Sequence, residues 1–383
     1  MSAPVDTHVD PRARSVAEFV DFDLAGQLAA SLVRPGPKAG RGEVTEVVGQ
    51  LREAAAQASG PVRATAHLHR DPGLAPDPPV LVVDRASWAR ANVEAFATLL
   101  GPVLIPAPRR EPRLAAARAG GVVDRATTAA GRRTTGAELG SLLAFLASRV
   151  LGQFDVFTGV DDGRGVPGRL LLVAPNVIQV ERDLEVDPHD FRRWVCLHEE
   201  AHRLQFGANP WLRRWVTEQA RGLSADLLAQ PRDLGERLQT VVRGLPEVLR
   251  GTAPGRGVGL ADLLQTPGQR DRVSRLVAVM SLLEGHADVV MDDVGPQVVP
   301  TVATIRARFT QRRGGGGTRE QVMRRLLGLD AKTRQYADGA SFVRAVIASV
   351  GWEGLNAVWT GPETLPTPAE IAAPAAWVIR VHG

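Results

Sequence analysis

The chain has 383 residues, 44% hydrophobic and 23% charged, a balance that supports a sizeable core and excludes a largely disordered chain. The net charge is +4, and nearly every cation is Arg (Lys38 and Lys332 are the only lysines); acidic residues are interspersed throughout, which argues against a nucleic-acid surface. One cysteine, Cys196, excludes an internal disulfide, no run of 18 apolar residues offers a membrane span, and the polar start MSAPVDTHVDPRARS lacks a leader pattern, so the expected compartment is the cytoplasm.

In chain order, residues 1–18 show no apolar period and are expected to form a loose tail. FVDFDLAGQLAASLV, 19–33, is apolar at helical spacing and stops at Pro35-Gly36-Pro37. A second helix is expected over 42–58. VLVVDR, 80–85, suits a short strand or the approach to a helix. Residues 86–100 carry Trp88, Val93, Phe96, Leu99 and Leu100 at amphipathic spacing. The Arg/Ala/Gly-rich stretch 108–135 has no clear period and is the best candidate for a mobile connection, with an Ala-rich helix as the alternative. An apolar helix is expected over 136–152. GRLLLVAPNVIQVER, 168–182, is rich in β-branched residues around LLLVA and gives the strongest strand signal in the chain.

Asp187-Pro188 then supplies an N-cap and a proline at the first helical position, opening a helix to about residue 206. Helical patterning resumes over 211–250. Thr266-Pro267-Gly268-Gln269 has the form of a capping box and opens a long helix to about residue 293, stopped by Gly295-Pro296. After a further helix, Gly314–Gly317 mark a flexible loop, followed by helices over 318–328 and 331–349. The proline-rich ending is expected as an irregular strap. The expected fold class is mainly α (α+β), with a small sheet.

Residues 198–202 read His-Glu-Glu-Ala-His, an HExxH motif inside the helix that follows the best strand. On a helix its two histidines lie one turn apart and about 40° apart around the axis, so both imidazoles can reach one ion. Glu199 sits beside them, placed to take a proton from water, and zinc lowers the pKa of a water it binds to about 7. Trp194, Val195 and Leu197 surround the motif, as a buried active-site helix requires.

A catalytic zinc needs a third protein ligand. Gln205 and Ala208 stand where the metzincin extension needs Gly and His, and Ala201 stands where the inverted motif needs Glu. A carboxylate on a second helix is the remaining common solution, and the segment Glu284-Gly285-His286-Ala287-Asp288 supplies it through Glu284. Asp288 shares the face of Glu284 and is expected to accept the outer N–H of a ligand histidine. His286 is the rival ligand. It lies about 200° from Glu284 around the helix, so one ion takes one of them and not both.

WVCLHEEAHRLQF, SLLEGHADVVMDDVG, KTRQYADGASFV and LNAVWTGPETLPTPAEI together resemble a largely actinobacterial zincin-like family of metallohydrolases, long catalogued as a domain of unknown function. One branch of that family is associated by genome distribution with biosynthesis of the deazaflavin coenzyme. The likeness is close over 168–380 and loose before it. It implies a zincin-type fold and metal site, and no substrate. Glu200 departs from the residues common inside the motif, at a position the motif leaves open. The expected organisation is a tail over 1–18, an N-terminal mainly helical region over 19–135, a zincin-like catalytic core over 136–310, and a C-terminal helical region over 311–383 that completes the cleft.

Tyr336, the only tyrosine, and Lys332 lie four apart on one helix face. Tyr336 suits an oxyanion donor, and a packed surface pair is the equal alternative. His286 and Lys332 are also candidates for substrate contact. His67 and His69 suit loop histidines better than ligands, Cys196 suits a small buried hydrophobe, and Trp211, Trp215, Trp352 and Trp359 suit core anchors. Two functions follow. The first is a zinc-dependent hydrolase of peptide or amide bonds, with Glu199 as the base. The second is a metal-containing binding or scaffold protein without turnover. Intact ligands and base favour the first.

Overall fold

Several helices begin where the sequence places a cap. The side chains of Asp21, Asp84 and Asp187 accept hydrogen bonds from the backbone N–H groups of Leu24, Ser87 and Asp190 at 3.0, 2.7 and 2.9 Å, satisfying donors that a helix start leaves unpaired. The computed structural model describes residues 14–69, 77–105, 121–158, 168–228, 267–314 and 339–383. In chain order the elements are β1 (Arg14–Ser15), α1 (Phe22–Leu32), α2 (Arg41–Ala66), β2 (Val80–Val83), α3 (Arg85–Leu100), β3 (Leu104–Ile105) and α4 (Gly121–Leu146). Next come β4 (Gly152–Asp155), β5 (Arg169–Val173), α5 (Ala174–Leu184), α6 (Pro188–Ala208), α7 (Pro210–Leu228) and α8 (Pro267–Val294). The chain ends with α9 (Val302–Gly314), α10 (Gly339–Asn356), α11 (Pro368–Ala372) and α12 (Pro374–His382). The fold is mainly α with a small sheet.

That sheet has the order β2-β5-β4, with β2 parallel and β4 antiparallel to β5. β1 and β3 form a separate two-stranded pair. Leu170, Leu171, Leu172 and Val173 of β5 are all buried, because both faces of the strand are covered. Leu172 joins a large core with α2, α5, α6, α8 and α10. Leu171 and Val173 join a second core with Ala25, Trp88 and Leu143 from α1, α3 and α4. α6 runs through the larger core and is buried on most sides.

The structure departs from these expectations at six places. Residues 14–18, expected within a loose tail, pair with β3 through Arg14 and Ser15 and bury Val16. α2 continues past Gly60-Pro61 to Ala66, since Val62 and Ala66 extend the buried stripe of Leu51, Ala55 and Ala58; His67, at φ 48°, ends it. The strand expected over 168–182 stops at Val173. Pro175 lies in the first turn of α5, whose Val177 and Ile178 pack into the core, so tertiary burial overrides their β-branched preference. Residues 121–135, expected within a mobile connection, are helical and continuous with the helix expected after them, while 106–120 lie outside the described residues. Gly152–Asp155 form a strand that local propensity does not announce. The proline-rich ending is a series of short helices, with Pro368 and Pro374 in their first turns. The expected helix over 318–328, the first part of 331–349 and Gly315–Gly317 lie outside the described residues, as do 229–250 and Thr266. Gln269 donates to the carbonyl of Asp226 at 2.9 Å and so ties the start of α8 to α7. Among the described residues no helix is long and apolar enough to cross a membrane.

Candidate metal centre

α6 is anchored by buried ion pairs before it offers any chemistry. Arg192 makes a two-pronged contact to Glu181 of α5 at 2.6 and 3.0 Å and reaches Gln50 of α2. Glu200 pairs with Arg203 at 2.6 Å, and Arg203 donates to the carbonyl of Pro78. Burial pushes the carboxyls of Glu181 and Glu200 above their usual range, more than their arginine partners pull them down. At the start of the helix, Asp190 accepts from the N–H and hydroxyl of Thr301, just before α9. Cys196 is fully buried, its thiol raised by desolvation and 3.6 Å from the carbonyl of Leu51, as a small core hydrophobe.

The motif's two histidines and Glu284 converge. Nε2 of His198 lies 3.2 Å from Nε2 of His202. The carboxylate of Glu284 straddles the pair, with Oε2 3.6 Å from His198 Nε2 and Oε1 3.5 Å from His202 Nε2. Donors at zinc bond lengths around a tetrahedron stand about 3.3–3.5 Å apart, so these separations suit one ion. Among the described residues, this is the group whose His, Cys, Asp or Glu donors lie close enough to share a metal. Two imidazoles and one carboxylate make three of the four donors of a tetrahedral ion, and the side chain of Glu284 is about half exposed (47%). The donor set therefore fits a divalent metal. Burial opposes the cationic form of His198, but the carboxylate of Glu284, with smaller help from Glu199 and Asp288, outweighs it and raises the pKa.

α8 reaches α6 because it packs backbone to backbone on α10. A Cβ added at Gly285 would stand 2.0 Å from the carbonyl carbon of Gly339, so only glycine permits the crossing that sets Glu284 in place. A similar approach fixes Glu199. It is 1% exposed, and a Cβ at Gly152 of β4 would stand 2.5 Å from its Cγ. The unforeseen strand β4 thus backs the carboxylate next to His198.

The outer nitrogens of the histidines face other groups than expected. Nδ1 of His198 lies 3.0 Å from the sulfur of Met291, and Nδ1 of His202 lies 3.0 Å from Oε1 of Gln205. Asp288 shares the face of Glu284, yet its carboxylate pairs with Arg306 at 3.4 Å, and Arg306 also donates to its backbone carbonyl. His286 points the other way from Glu284. It is fully buried, stands edge-on to Trp352 and Trp359, and is held neutral by desolvation and by His202, with its pKa pushed down to about 3. Tyr336 and Lys332 lie outside the described residues. His67 caps α2 and stacks on Trp352, while Trp211 donates to the carbonyl of Trp359. Sequence reasoning missed Gln205 and Met291. A polar residue three places after His202 on a buried helix is the signal for the first. The second is one of only four methionines and sits seven residues, two turns, after Glu284.

Comparisons with known proteins bear on the fold and the family. The crystal structure of a protein from Chloroflexus aurantiacus, described as a "putative hydrolase with a novel fold", superposes with a TM-score of 0.61 at 27% identity. The match covers 95% of this chain and 99% of that one. No curated protein matches the chain. The model of the zincin-like metallopeptidase family matches residues 20–378, nearly the whole length, and the chain belongs to that family.

Proposed function

We propose that this protein is a zinc-dependent hydrolase of peptide or amide bonds, with His198, His202 and Glu284 holding the metal and Glu199 serving as the general base. The observation that carries the reading is the convergence of two Nε2 atoms and one carboxylate, 3.2 to 3.6 Å apart, directly beside a glutamate on the same helix. A bound zinc ion supplies Lewis acidity toward a carbonyl and makes water a stronger acid. Glu199 then takes the proton from the attacking water and returns it to the leaving nitrogen. Its backing by Gly152 keeps the carboxylate in one place for both transfers. The amide preference rests on the zincin-like metallopeptidase family, and the relative described as a "putative hydrolase" supports hydrolysis alone.

A screen against a peptide and amide library, run beside Glu199→Gln, tests the reading. Turnover that disappears in Glu199→Gln while the metal content stays unchanged is the expected result. Equal turnover in both proteins would assign the proton transfer to another group. A complete lack of turnover with stoichiometric metal would favour the scaffold function.

A further inference from the structure

Gln205 is wholly buried and stands between His202 and His286. Its amide has one allowed orientation. The atom 2.9 Å from the carbonyl of Leu283 must be Nε2, because a backbone carbonyl only accepts. The same Nε2 sits 2.9 Å from Nδ1 of His286, which therefore accepts, leaving the proton of that ring on its buried Nε2. With both amide protons used, Oε1 is left facing His202 Nδ1 at 3.0 Å, and only a protonated Nδ1 makes a bond there.

We infer that Gln205 is a positioning residue that fixes the tautomer of His202, holding its Nε2 lone pair toward His198 and Glu284. A neutral imidazole can coordinate only through the nitrogen that lacks the proton, so the choice of tautomer is the choice of whether His202 is a ligand at all. The carbonyl of Leu283, one residue before Glu284, orients the amide that orients the imidazole. α8 thus contributes to the site twice, once through a carboxylate and once through a backbone oxygen. The inference rests on the metal reading above, but its first test does not require metal.

That test is long-range proton–nitrogen NMR on the full-length, metal-free protein labelled with nitrogen-15 in histidine, near pH 8, with His202→Ala to assign the signal. The expected result is the Nδ1–H form for His202 in the wild type and a shift toward Nε2–H in Gln205→Leu. An Nε2–H form in the wild type overturns the inference. Zinc affinity by chelator competition is the second readout. Gln205→Leu should bind zinc roughly 10–100-fold more weakly. Gln205→Glu loses both amide protons but keeps an acceptor for Nδ1–H, and should bind zinc more tightly than Gln205→Leu. A merely structural role, in which the amide serves to satisfy the carbonyl of Leu283, predicts the reverse order, since the second oxygen of Glu opposes that carbonyl while Leu does not. That reverse order would overturn the inference even if Gln205→Leu folds poorly. A wild type that binds no zinc refutes the metal reading, whatever the tautomer shows.

Discussion

The two walls of the metal centre are built differently. α6 contributes His198, Glu199 and His202 from a helix buried on most sides and pinned by Arg192–Glu181 and Glu200–Arg203. α8 contributes Glu284 from a half-exposed position, located by a glycine contact with α10. Support for the two histidines differs in the same way. His202 meets an amide whose every proton is committed, and His198 meets the soft sulfur of Met291, a weak acceptor. The difference teaches that the wall carrying Glu199 is held by buried ion pairs, while the wall carrying Glu284 is held by a close helix crossing and keeps its carboxylate half exposed.

Breaking the ion-paired wall should cost most. Glu181→Ala strands the guanidinium of Arg192 in the core with Gln50 as its remaining side-chain contact, and should lower unfolding stability by about 3–5 kcal/mol in urea titrations. None of the three ligands is touched, so any protein that stays folded should still bind metal. Glu284→Ala attacks the other wall instead. It should reduce zinc affinity about 100-fold or more in chelator competition, equivalent to about 2.7 kcal/mol, with little change in melting because the side chain is half exposed. A large drop in stability with affinity intact would reverse the roles given to the two walls.

Gly285→Ala probes the joint between α8 and α10. The helices must part to admit a Cβ, at a cost of about 2–3 kcal/mol in stability. Because Glu284 moves with the helix, zinc affinity should fall too, a coupling that measurements of both quantities on one variant would reveal. Met291→Leu makes the smallest change. It preserves volume and removes only the sulfur beside His198, so affinity should fall no more than about threefold and stability by under about 1 kcal/mol. A fall as large as that expected for Gln205→Leu would mean that the two histidines are equally dependent on their outer partners.

What was legible in the sequence was the chemistry that one helix carries by itself. The spacing of His198 and His202 is a property of helix geometry, and Asp187-Pro188 marks the start of that helix, so both were legible. Glu284 was reached by excluding the other third-ligand patterns and from the shape of its own segment. Elements whose identity depends on a distant partner were not legible. Gly152-Gln153-Phe154-Asp155 has little strand propensity and is a strand because β5 supplies its ladder. Val177 and Ile178 suggest a strand and are helical because their face meets the core. Gln205 acts through a carbonyl 78 residues away, and Asp288, correctly placed on the face of Glu284, is drawn to Arg306 from α9.

Metal content of the purified full-length protein, wild type beside His202→Ala, tests the central claim most directly. The account predicts close to one zinc per wild-type chain, lost in His202→Ala while its circular dichroism stays helical. Zinc retained at the wild-type level in His202→Ala would contradict the assignment of His198, His202 and Glu284 as the metal site.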